Sequence, residues 1–152
     1  MFMSDTNLPI ELKPLSELID VKPIEISPDL DEKLTENNQV LASKSIMEID
    51  HQTKTPTPFF SVDSLVSCIG TDRKPFRELM ADAEDGEVIK INNEYLIRSD
   101  LTKQFLQERS EQPRSCGERA RIEATRSIVN EASKLEYEQV IALLNNKVQG
   151  DE

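Results

Sequence analysis

A chain of 152 residues with 37 % apolar, 31 % charged and 5 % aromatic side chains, and no tryptophan, has room for one domain plus more loosely packed segments. Its 18 basic and 29 acidic residues leave a net charge of -11. That excludes a generally basic nucleic-acid binder and confines any nucleic-acid contact to a local patch. The longest apolar run, Val140 to Leu144, is far short of the ~20 residues a membrane span requires.

Residues 1–58 hold six of the eight prolines and none of the four glycines, with five basic against eleven acidic residues. After Phe2 no aromatic follows until Phe59. Frequent proline blocks long helices and scattered aliphatics leave little to pack, so the segment reads as a disordered, acidic, Pro-rich tail. One short helix opening at Pro14 would carry Leu15, Leu18 and Ile19 on one face, and a second would cover Leu41 to Ile49. The singly spaced aliphatics Leu15, Leu18, Ile19, Ile24 and Ile26 are the expected partner-binding positions of this tail.

Residues 59–109 differ in pattern. Ser61 caps a helix whose apolar positions Val62, Leu65, Val66 and Ile69 follow i, i+3, i+4, i+7, and Gly70 ends it. Thr71 or Asp72 caps a second helix over 72–83, with Pro75 in its first turn and Phe76, Leu79, Met80 and Ala83 as its inner stripe. Asp85-Gly86 stops it. EVIKI, Asn92-Asn93 and EYLIR then read as a β-hairpin, since asparagine tolerates the positive φ of a tight turn. Ser99 caps a third helix carrying Leu101, Phe105 and Leu106 inward. A linker follows at 110–117. Residues 118–148 predict two helices with a break near Ser133, where Ser-Lys-Leu-Glu reads as a capping box. Their apolar positions Ile122, Val129, Leu135, Val140, Ile141 and Leu144 mark an oligomerisation surface or a cap on the preceding domain.

The fold class expected from these elements is mainly α with a small β-hairpin: a winged helix-turn-helix core, a disordered acidic N-terminal tail and a C-terminal helical segment. The stretch SVDSLVSCIGTDRKPFRELMADAEDGEVIKINNEYLIRSDLTKQFL resembles the excisionase / MerR-like family of winged-helix DNA-binding domains, a likeness confined to residues 59–106. It lies in the Gly-closed first helix, a basic residue four positions after its last apolar one, the acidic turn, the hairpin, and the Ser/Asp-Leu-x-x-x-Phe-Leu helix. The resemblance implies that the second helix enters the major groove while the hairpin touches the DNA backbone. By position, Arg73, Lys74 and Arg77 are then the helix contacts, Lys90 and Arg98 meet phosphates, and Asn92 and Asn93 form the hairpin tip. Glu94 stands where the family carries a basic hairpin residue. The bland reading of Arg73, Lys74 and Arg77 is the solvated face of an amphipathic helix.

Function follows in two alternatives. One is a small non-enzymatic, sequence-specific regulator or accessory protein of the phage or mobile-element kind, binding double-stranded DNA and recruiting a partner through its tail. The other is a protein-interaction adaptor or inhibitor, antitoxin-like or acting on a nucleic-acid enzyme, that uses the same scaffold without DNA. A homodimer through the C-terminal helices suits the first. Cys68 and Cys116 form no pair motif, so a reducing, cytoplasmic setting is expected, with Cys68 in the core and Cys116 as an exposed thiol. The single histidine, His51, is expected to be a spectator. No enzyme, metal or other cofactor is expected from so few nucleophile–base or ligand combinations.

Overall fold

The computed structural model describes residues 9–21, 28–112 and 115–150. Its strands are Ile10–Pro14 (β1), Ile46–Asp50 (β2), Thr55–Ser61 (β3), Val88–Ile91 (β4) and Glu94–Arg98 (β5). They form one antiparallel sheet in the order β1-β2-β3-β5-β4. Around it lie helices Pro28–Lys44 (α1), Val62–Ile69 (α2), Lys74–Ala81 (α3), Ser99–Glu111 (α4), Cys116–Ser133 (α5) and Tyr137–Gly150 (α6), with a 3-10 turn at Leu15–Glu17.

Strand register sorts the side chains into faces. Met47 and Ile49 of β2, Phe60 of β3 and Ile97 of β5 share one face, and each is fully buried. Onto that face the helices deliver Leu41, Leu65, Ile69, Phe76, Leu106, Ile122 and Val129, all inside one contiguous core. Phe59 and Leu96 point to the opposite face and are still only 2 % exposed.

The architecture corrects the expectation of a mainly α chain with a small hairpin. The hairpin β4–β5 is one edge of a five-stranded sheet, and residues 10–58 supply β1, β2, most of β3 and the long helix α1. The N-terminal segment is therefore no disordered tail over its described residues. Leu15, Leu18 and Ile19 are 0 %, 5 % and 6 % exposed and belong to the core, so they are not free to bind a partner. Ile24 and Ile26 lie outside the described residues. The helix expected over Leu41 to Ile49 ends instead at Lys44, because Ile46 to Asp50 alternates with period two and pairs on both sides.

β3 accommodates two prolines because their missing donors cost nothing where the chain places them. Thr55, Thr57 and Phe59 stand opposite Asp50, Glu48 and Ile46, and the alternation of an antiparallel ladder turns Pro56 and Pro58 away from β2. On that side β5 reaches only Phe59 to Ser61, so no hydrogen bond is lost.

Candidate nucleic-acid interface

Local chemistry builds α2, α3 and the turn between them. Ser61 accepts a hydrogen bond from the Ser64 amide and caps α2, and Gly70 closes it in the left-handed region at φ 77°. Asp72 Oδ1 accepts from the Lys74 amide at 3.1 Å and starts α3, and Pro75 occupies its first turn. Two arginines from distant helices brace the turn. Arg121 Nε donates to the Ile69 carbonyl at 2.8 Å, and Arg109 Nη2 donates to Thr71 Oγ1 at 3.2 Å. Arg109 is itself held by the buried Glu118 at 3.4 Å. Neither arginine was marked by the sequence, since each belongs to a helix with its own amphipathic explanation.

On α3, Phe76 is fully buried and lies against Phe105 with ring centroids 4.4 Å apart. Leu79 and Met80 pack against the same core. This anchoring turns Arg73, Lys74 and Arg77 outward, and all three are exposed. Arg73 Nη2 contacts Asp63 Oδ1 of α2 at 2.9 Å. The hairpin stands beside this helix. Its two-residue turn has Asn92 and Asn93 at φ 52° and 66°, the left-handed pair a tight hairpin demands. Lys90 Nζ lies 5.2 Å over the Tyr95 ring, close enough for a cation–π contact.

Between α2, α3 and the hairpin lies a groove of about 580 Å³, lined by the apolar Val62, Met80, Val88 and Tyr95 and by the polar Asp63, Arg73, Arg77 and Asn93. Of the seven expected contact residues, the groove brings together Arg73, Arg77 and Asn93. Lys74, Lys90 and Asn92 are exposed on the same helix and hairpin but do not line it.

Arg98 is committed elsewhere. Its Nε and Nη2 form a two-pronged contact with Asp100 at 2.9 and 2.8 Å, and Nη2 also meets Glu87 at 3.3 Å. Asp100 raises the guanidinium pKa further, and the guanidinium holds the Asp100 carboxyl below its usual value. A phosphate would have to displace two carboxylates, so Arg98 is a bracket between the hairpin and α4 rather than a free backbone contact.

The expected oligomerisation residues are mostly internal. Ile122, Val129 and Val140 are fully buried, Leu135 and Leu144 are partly buried against the core, and Ile141 is partly buried too. They cap the sheet and α2 within one chain.

His51 is no spectator. Its Nδ1 shares a 2.8 Å hydrogen bond with the Tyr137 hydroxyl, and its Nε2 lies 2.8 Å from Glu11 Oε1. The ring thus joins β1, the β2–β3 turn and α6, and it holds the Glu11 carboxyl below the usual range. Among the described residues no group of three or more His, Cys, Asp or Glu side chains is placed to hold a metal ion, and no helix is long and apolar enough to cross a membrane. Comparison with protein-family models, with curated proteins and with solved structures finds no match to this chain.

Proposed function

We propose that the chain is a small site-specific regulator or accessory protein that binds double-stranded DNA through α3 and the β4–β5 hairpin. The same reading carries a relation of residues 59–106 to the excisionase / MerR-like proteins. One observation supports it above the rest. The buried Phe76 and the packed Leu79 and Met80 fix α3 so that Arg73, Lys74 and Arg77 project together beside a hairpin tipped by Asn92 and Asn93. Arginine can read guanine edges in pairs of hydrogen bonds, while lysine serves phosphate. Against a net charge of -11, so few cations give little non-specific affinity, which leaves recognition of a particular site as the useful mode.

Selection from random duplexes at low salt tests this reading. One enriched sequence is expected. On that sequence Arg77→Ala weakens binding by about 1–3 kcal/mol and relaxes preference at one base pair, whereas Lys74→Ala weakens all sequences alike. No enrichment, with Arg73→Ala/Arg77→Ala protein indistinguishable from wild type, contradicts it.

A second reading is favoured by the groove itself. Its apolar walls and the exposed Arg77 suit a protein segment carrying apolar and acidic side chains. In that case the chain is an adaptor or inhibitor, and Met80→Lys abolishes partner capture while DNA selection yields nothing.

A further inference from the structure

β1 is an outer strand of the sheet, and among the described residues no strand pairs with its far side. Its internal pairing is defined at both ends. The His51 amide donates to the Pro9 carbonyl and the Leu15 amide donates to the Ser45 carbonyl, and between them Ile10 to Pro14 run opposite Asp50 to Ile46. Alternation in an antiparallel ladder then directs the odd-numbered residues toward β2 and turns the backbone groups of Ile10, Leu12 and Pro14 outward. The open edge therefore presents two donors, from Ile10 and Leu12, and three acceptors. The side chains of Ile10 and Leu12 are 40 % and 47 % exposed, and Glu11 and Lys13 stand on the other face of the strand with 3.3 Å between their charged groups.

We propose that this edge pairs with the β1 edge of a second copy of the chain, antiparallel about a two-fold axis through Leu12, to make one continuous sheet. The segment IELKP is self-complementary in that register alone. Leu12 faces Leu12 of the second copy, and their amides and carbonyls exchange two hydrogen bonds. Each Ile10 amide meets the Pro14 carbonyl of the other copy, so both outward donors on each strand are used and proline stands where no donor is required. On the opposite face Glu11 meets Lys13 of the other copy, and Lys13 meets its Glu11, giving two opposite-charge pairs across the strands. A shift of two residues brings Lys13 against Lys13 or Glu11 against Glu11 and is disfavoured by like charge. This isologous contact leaves α3 and the hairpin, at the other end of the sheet, untouched. It stands independently of the DNA reading.

Sedimentation of the full chain over a range of concentrations tests the pairing, with thermal melts to verify that each variant is folded. Wild type is expected to dimerise. Lys13→Glu, which leaves the His51–Glu11 contact in place, weakens the dimer by about tenfold or more. Leu12→Pro, which removes the outward amide and the facing leucine side chain while leaving the bonds to β2 in place, does the same. Glu11→Lys protein is monomeric alone but forms a heterodimer when mixed with Lys13→Glu protein, because every charge pair is then restored. Should Glu11→Lys fail to fold, the single substitutions decide. A wild type that is monomeric throughout overturns the proposal, and so does a dimer indifferent to Lys13→Glu and Leu12→Pro.

Discussion

Gly70 closes α2 at φ +77°, and a Cβ there would sit 2.9 Å from Arg121 Nε, the atom that satisfies the Ile69 carbonyl. Gly70→Ala is therefore expected to cost about 1–2 kcal/mol for the left-handed backbone alone, with a further loss as Arg121 is displaced, read as a lowered melting temperature. Cys68 and Cys116 separate by burial. Burial pushes the Cys68 thiol up to about 12, while Cys116 is exposed. A thiol reagent at neutral pH should modify one cysteine in the native protein and two after unfolding, because only thiolate reacts. Glu11 gives a pH dependence with a definite sign. The His51 hydrogen bond depresses its carboxyl in the folded state below the ordinary 4.5. Its contribution is complete above that value and is lost as the pH falls through the folded value. The melting-temperature gap between wild type and Glu11→Gln should thus be present at pH 7 and close as the solution is acidified below about 4.5.

Among the helices, α5 joins the core to the turn between α2 and α3. It places Ile122 and Val129 in the core with no exposure, sends Arg121 to the end of α2 and holds Arg109 of α4 through Glu118. Ile122→Ala is expected to destabilise by about 2–5 kcal/mol. A chain ending at Arg109 should lose cooperative unfolding altogether, which calorimetry of the two proteins would show. Elements with local signals were legible. Ser61 and Gly70 bracket α2, and the Asn92-Asn93 pair marks the hairpin turn. What escaped were elements defined by pairing partners far along the chain. Pro56 and Pro58 argue against a strand until β5 is seen to stop short of them, and Leu15, Leu18 and Ile19 look sparse until α1 and β2 bury them. The site was legible in the same measure. Arg73, Lys74 and Arg77 follow from helical phase, but the diversion of Arg98 to Asp100 and Glu87 and the bracing by Arg109 and Arg121 are tertiary facts.

For the whole molecule, charge decides how any DNA binding must behave. Eighteen basic residues face twenty-nine acidic ones, several acids lie close to α3 in sequence, and Arg98 is neutralised by its neighbours. About two phosphate contacts remain, from Lys74 and Lys90, so log affinity should fall with log salt at a slope of about -2. Bulk DNA should compete poorly. Whether α3 and the hairpin form the binding face is decided by mapping backbone amide shifts of the labelled protein on titration with a duplex recovered by selection. Perturbations are expected to concentrate at residues 73–77 and 90–95, with β1 and α6 silent. Perturbations centred on β1, on α6 or spread evenly over the chain would contradict that placement.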